Sequence, residues 1–406
     1  MTARRLKPCF AHFGIESGVS ALFQTIIQLD GVKENVIFAG TNTGKCLLFS
    51  IRTSKLVATV YEDPNSRQIM GIGEWSFSSE TQVDLDENNG ASCSDETKQL
   101  RIWIHFRGSA VEVFDCFANS TQSQPLRLNM SCKIETAHYS FCRAISDRKN
   151  ARFILPDYQN ESNMLRIRYK KGGEKCFALS EEFLNNSFIK RMKSSNLKFD
   201  AENAKQLRLF KGMLMAVDVN INPPSHYKLD QDRILLAFED STVAIFDMRT
   251  KEVIDCIKHP KHQQFIGLTS RATDDFVYIA VSVMTQVYMM KYSFREEQLS
   301  VSCVVKKCKS INCSALEFCG NTLACGFNNG FAEVYRIDFG TEKAETIATS
   351  DFHEDSIQTI KWIMSSKCYE NSALKIGEEK ANQAESKTNL LLIGSSDGKL
   401  SFYDSV

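Results

Sequence analysis

Apolar residues recur along this chain in a fixed sentence: an apolar run, a short turn rich in Gly, Asn, Asp or Ser, then an alternating strand ending on a large side chain. Four stretches carry it clearly. They are 36–49, with Phe38-Ala39-Gly40 before Thr41-Asn42-Thr43-Gly44; 235–247, with Phe238-Glu239-Asp240-Ser241; 322–335, with Gly326-Phe327-Asn328-Asn329-Gly330; and 391–404, with Gly394-Ser395-Ser396-Asp397-Gly398. Three weaker copies end on Leu100-Arg101-Ile102-Trp103, Met164-Leu165-Arg166-Ile167-Arg168 and Gln286-Val287-Tyr288-Met289-Met290-Lys291, which brings the count to seven. Each unit reads as a β-hairpin. Its turn needs residues that tolerate positive φ, and its strands need β-branched and aromatic side chains at period two.

Phe246, Lys291 and Tyr335 are 45 and 44 residues apart, the length of one four-stranded propeller blade. The spacing predicts an all-β, seven-bladed β-propeller occupying residues 1–406 as one domain, because stacked blades share a continuous core. Longer intervals elsewhere imply surface insertions at 78–98, 180–211 and 365–388. The first is acidic and rich in Ser. The second holds some helix and the basic run Lys190, Arg191, Lys193, Lys198, Lys205, Arg208 and Lys211, read as a solvated loop, an import signal or a contact for an acidic partner. The sequence stops two residues after Asp404, which leaves the last blade with three strands of its own. A short strand at residues 9–13 is expected to supply the fourth and so close the ring.

Charge adds little, since 49 Lys and Arg cancel 49 Asp and Glu. No global field favours nucleic acid or an anionic membrane. No apolar stretch reaches the length of a spanning helix, and the first thirteen residues lack the apolar core of a secretion signal. The expected setting is nucleus and cytoplasm, where fourteen cysteines serve as reduced, mostly buried thiols.

Candidate chemistry thins out on inspection. Gly394-Ser395-Ser396-Asp397-Gly398 fits the G-x-S-x-G elbow formally, but a strand follows it rather than a helix, and no His comes later. Cys303, Cys308, Cys313, Cys319 and Cys325 lack the two ligand pairs of a zinc site and read as buried thiols within one blade. No Gly-rich phosphate loop occurs. The expectation is a non-enzyme with no cofactor and no metal.

The repeats, taken in order, resemble the G protein β-subunit-like WD-repeat proteins, which include the ASTRA-associated proteins of fungi. The likeness runs from Phe38-Ala39-Gly40 through the degenerate unit Ile154-Leu155-Pro156 and the turn at Glu239-Asp240 to Phe352-His353 and Tyr403. It implies a scaffold associated with the TTT co-chaperone subunits and the RuvB-like ATPases, helping to mature phosphatidylinositol-3-kinase-related kinases, with a link to chromatin remodelling. It also implies a structural role for His353, which would hydrogen-bond to Asp397 in the hairpin turn of its own blade. Asp240 holds the corresponding turn three blades earlier, without a matching His. The competing expectation is a general propeller adaptor, such as a ubiquitin-ligase substrate receptor or a trafficking subunit.

Overall fold

The computed structural model describes residues 3–29, 32–75, 98–118, 125–147, 150–170, 173–194, 209–219, 221, 232–259, 263–308, 311–364 and 389–404. Seven small antiparallel sheets stand in a ring round one axis, and the chain is a seven-bladed β-propeller. Blade 1 runs through Val19–Leu29, Val32–Thr41, Lys45–Ser50 and Leu56–Glu62, from the innermost strand outward. Blade 2 follows with Ile69–Glu74, Lys98–Phe106, Ala110–Ala118 and Leu126–Glu135. Blade 3 is Ile145–Asp147, Arg152–Gln159, Ser162–Tyr169 and Glu174–Leu179. Blade 4 is Leu214–Asp218, Arg233–Phe238, Thr242–Asp247 and Glu252–Lys258. Blade 5 is Phe265–Ala272, Phe276–Val283, Gln286–Ser293 and Gln298–Lys307. Blade 6 is Cys313–Cys319, Thr322–Phe327, Ala332–Asp338 and Lys343–Ser350. Blade 7 has Ile357–Met364, Asn389–Ser395 and Leu400–Tyr403.

The fourth strand of blade 7 comes from the other end of the chain. Phe10–His12 pairs antiparallel with Leu400–Tyr403, placing Phe10 opposite Phe402 and His12 opposite Leu400. A second contact was not legible in the sequence: Arg4–Arg5 adds a parallel fifth strand to the outer edge of blade 6, with Arg4 opposite Ala348. Between the two strands Leu6 is buried, in the apolar cluster that also holds Ala348 and Tyr403. The amino-terminal segment therefore fastens two blades.

Second and third strands lie between neighbouring blades and are buried on both faces. Every residue of Arg233–Phe238 and Thr242–Asp247 is buried, hence the apolar runs of the repeat. Outer strands such as Leu56–Glu62 mix half-buried and exposed positions. The four clear copies are the second–third hairpins of blades 1, 4, 6 and 7. One weak copy needs correction. Leu100-Arg101-Ile102-Trp103 lies in the second strand of blade 2, and the hairpin turns later, at Arg107-Gly108-Ser109. The copies at Met164 and Gln286 do lie in third strands.

Two glycines in the repeat have separate physical reasons. Gly326 lies near the end of a second strand where the next blade packs closely, and a Cβ there would stand 2.3 Å from Ile357 Cγ2. Gly330 closes the hairpin turn at φ +82°, and its Cβ would stand 2.2 Å from the carbonyl oxygen of His353. Both strain and collision oppose a side chain at Gly330. Gly330→Ala is expected to destabilise the chain by about 2 kcal/mol or more, read as a lower urea midpoint at unchanged slope. An unchanged midpoint would mean that this turn is free to relax.

Of the expected insertions, 365–388 and all of 78–98 but Lys98 lie outside the described residues. In 180–211 a helix spans Glu181–Ser194, with Leu184 and Phe188 buried in the core of blades 3 and 4. Two of its basic residues are already engaged: Lys190 pairs with Glu252 at 2.8 Å, and Arg191 with Glu297. Lys193 belongs to the same helix, Lys211 is half-buried, and Lys198, Lys205 and Arg208 lie outside the described residues. Among the described residues no helix is long and apolar enough to cross a membrane.

Candidate interaction face and the His353 relay

In an antiparallel four-stranded blade, the second–third turn and the connector to the next blade leave from the same end. At that connector end the structure brings His353 and Asp397 together. His353 lies on the connector from blade 6 to blade 7, and its Nδ1 is 3.2 Å from Asp397 Oδ2. On the other side its Nε2 is 2.7 Å from Ser401 Oγ. Asp397 also accepts from the backbone N–H of Glu354 at 3.0 Å and of Lys399 at 3.0 Å. Burial pushes the His353 pKa down, and the neighbouring Asp397 only partly offsets it. Burial would push Asp397 up, yet those two amides and His353 together hold it below the usual carboxylate range.

Asp397, His353 and Ser401 thus stand in the order of a hydrolase relay. Ser401 is wholly buried in the strand, and its hydroxyl is within reach of the Ile393 carbonyl at 3.4 Å, so no substrate carbonyl can approach it. The relay fastens the connector to the hairpin. Neither serine of the formal elbow is activated: Ser395 Oγ donates to the carbonyls of Asp355 (2.8 Å) and Ser356 (3.0 Å), and Ser396 Oγ accepts from Gln358 Nε2.

Truncation of His353 or of Asp397 to Ala should each cost on the order of 1–3 kcal/mol, since the remaining partner is left buried and unsatisfied. The double variant should cost less than the two together, as expected for one shared interaction. Strict additivity in chemical denaturation would show that the two side chains do not act as a pair.

Asp240 has a different partner from Asp397. Its carboxylate accepts from the Thr242 amide at 3.1 Å and pairs with Lys258 Nζ at 2.8 Å, on the outer strand of the same blade. Other blades fasten their hairpins with other chemistry. In blade 2, Arg67 binds Asp63, Glu112 and Ser109 together, the last two at 2.8 and 2.7 Å. Lys306 reaches Glu333 of blade 6 at 2.8 Å, and His259 lies against Gln286 of blade 5.

The cysteine run spans the boundary of blades 5 and 6 rather than one blade: Cys303 is on the outer strand of blade 5, and Cys313, Cys319 and Cys325 are on the first two strands of blade 6. Cys308, Cys313 and Cys325 are buried in the apolar seam there. Burial raises the thiol pKa of Cys308 to about 11, which leaves it protonated at neutral pH. Among the described residues no three or more His, Cys, Asp or Glu gather in a metal-holding group.

The connector end also presents large apolar side chains to solvent. Phe13 precedes blade 1, Met284 sits in the blade 5 turn, and Tyr139 and Phe141 lie between blades 2 and 3, all exposed. Lys399 Nζ stands 5.5 Å above the Phe352 ring. No known family model matches the chain, and no curated protein is significantly similar to it. A propeller with buried polar relays and exposed aromatics fits a scaffold or adaptor.

Proposed function

We propose that this chain is a WD-repeat-type protein scaffold without catalytic activity, acting with the TTT/ASTRA co-chaperone machinery in the maturation of phosphatidylinositol-3-kinase-related kinases. The observation that supports the scaffold reading is the connector end. The catalytic-looking order of Asp397, His353 and Ser401 ends on a serine buried in a strand, while aromatic side chains on the same end face water. The order of repeats that resembles the ASTRA-associated proteins supports the narrower reading, with TTT subunits, RuvB-like ATPases and immature kinases as partners in nucleus and cytoplasm. The scaffold needs no cofactor.

The test is affinity purification of the tagged full-length chain from its own cells, followed by mass spectrometry. Stoichiometric TTT subunits or RuvB-like ATPases are expected, with falling kinase levels when the chain is depleted. Recovery of cullin adaptors or coat proteins instead would replace the co-chaperone reading with an adaptor. A chain recovered without any stoichiometric partner would remove the scaffold reading itself.

A further inference from the structure

Residues 134–144 connect the outer strand of blade 2 to the inner strand of blade 3, and their burial alternates without a break. Ile134, Thr136, His138, Ser140, Cys142 and Ala144 are buried; Glu135, Ala137, Tyr139, Phe141 and Arg143 are exposed. The connector thus turns its side chains alternately inward and outward as it runs from the outer strand of blade 2 to the inner strand of blade 3.

Its inward side is pinned throughout. The Ala137 amide donates to Asp157 Oδ1 at 2.9 Å, Ser140 Oγ donates to the Leu214 carbonyl of blade 4 at 2.7 Å, and the Ala144 amide donates to His105 Nδ1 at 3.1 Å. Such a connector is rigid, so its outward row is pre-organised for a partner.

The outward row is costly to leave in water. Tyr139 is 66% exposed and Phe141 56%, although both are large rings on an anchored backbone. Arg107 stacks on Phe141, its guanidinium carbon 4.4 Å from the ring centre, and among the described residues its side chain otherwise reaches Gln68 at 3.4 Å. Arg143 extends past the inner strand of blade 2 and touches the Ser20 carbonyl of blade 1 at 3.4 Å. Neither guanidinium forms a salt bridge among the described residues. Desolvation pulls the Arg143 pKa down, and Glu317, which opposes that shift, is itself held by Lys361 at 2.6 Å. Two arginines with open donors therefore flank two exposed aromatic rings.

We propose that this ridge docks an acidic segment of a protein partner, whose carboxylates engage Arg107 and Arg143 while an apolar side chain between them covers Tyr139 and Phe141. This rests on the scaffold reading and gives it a site. Paired, planar hydrogen bonding of carboxylate to arginine supplies direction, and the rings supply buried area. A nucleic-acid backbone is a poorer fit, because two cations beside Glu135 on a chain of zero net charge offer no track for successive phosphates.

The experiment pans a phage-displayed random peptide library on the full chain, on Arg107→Glu/Arg143→Glu and on Tyr139→Ala/Phe141→Ala. All four substituted side chains are exposed, so the three proteins should melt alike. Peptides enriched on the full chain are expected to carry Asp or Glu on both sides of an apolar residue. Their affinity should fall about tenfold or more on either variant, and fall with salt. Enriched peptides without acidic residues, or equal binding by all three proteins, would overturn the ridge. So would sedimentation with phosphatidylserine-containing vesicles that is lost in the arginine variant, because the ridge would then be a membrane contact. If cellular partners are recovered in full by both variants, the ridge fails while the scaffold stands.

Discussion

A chain lacking residues 1–13 should aggregate, or melt far below the full-length protein. Deletion strips the fourth strand from blade 7, exposing the backbone edge of Leu400–Tyr403, where Leu400, Phe402 and Tyr403 are now fully buried. It also removes the parallel strand on blade 6 and takes Leu6 out of the buried cluster that holds Ala348 and Tyr403. Not all of these contacts weigh the same. Arg5 meets Asp351 at 2.6 Å, but both side chains are largely exposed, and such a pair contributes at most about 1 kcal/mol. Burial of Leu6 contributes about 1.5–3 kcal/mol alone, and loss of the paired edges brings the total to the order of 5 kcal/mol. An unpaired edge also invites strand addition between molecules. Size-exclusion chromatography and thermal unfolding measure both effects, and a synthetic peptide of residues 1–13 should restore the monomer in trans. A truncated chain as monomeric and stable as the parent would show that blades 6 and 7 close without it.

That closure was half legible. Phe10–His12 has the apolar character of a strand, and the expected fourth strand at 9–13 contains it. Arg4–Arg5 has two exposed charged residues and no pattern to read; its place is fixed by Leu6 next to it. The seven hairpins were readable where second and third strands are sandwiched between blades and must be apolar on both faces. Blade 2 blurred the signal because its strands carry polar groups whose partners lie across the sheet or on the connectors. Arg101 pairs with Asp115 at 2.6 Å, and Glu112 meets Arg67 at 2.8 Å. His105 accepts from the Ala144 amide. An alternation of Arg101, Trp103 and His105 looks like the end of a repeat and is in fact its middle.

Much the same holds for the site. His353 with Asp397 could be named from the repeat because both residue types occur where the resemblance places them. Ser401 was missed although it stands four residues after Asp397, on the face of the strand that meets His353. Arg67 with Glu112, Lys306 with Glu333 and His259 with Gln286 fasten their blades with other residue types, so no single motif marks the seven turns. The ridge at 134–144 was hidden for a related reason. Its inward positions are Thr, His, Ser and Cys as well as Ile and Ala, so the period of two is plain in burial and faint in hydrophobicity.

Those inward histidines make the chain sensitive to mild acid. His105 and His138 are fully buried, and burial lowers their pKa values from 6.5 to about 3 and about 4. His105 is lowered further by His138 and Arg143 nearby, while Asp157 partly opposes the shift at His138. Its Nδ1 accepts from Ala144, so its proton sits on Nε2, which meets no partner among the described residues. Each imidazole binds its second proton more weakly in the folded chain than in the unfolded one. Below pH 6.5 the unfolded chain therefore takes up more protons, and stability that is complete above 6.5 drains away as the pH falls towards those two values. Each group removes about 1.4 kcal/mol per pH unit, so the pair removes on the order of 4 kcal/mol between pH 7 and pH 5. His353, also lowered by burial, acts in the same direction. Carboxylates held low by their partners, such as Asp63 and Asp157, lose their contribution only at still lower pH, as they fall through the carboxylate range. Urea midpoints at pH 7, 6 and 5 should fall steeply for the full chain. His105→Asn keeps an acceptor for the Ala144 amide but cannot titrate, and its midpoints should fall about one proton's worth less steeply over the same interval. A full-length chain equally stable at pH 7 and pH 5, or an asparagine variant with the parent's slope, would mean that water reaches these imidazoles and that the connector opens freely between blades 2 and 3.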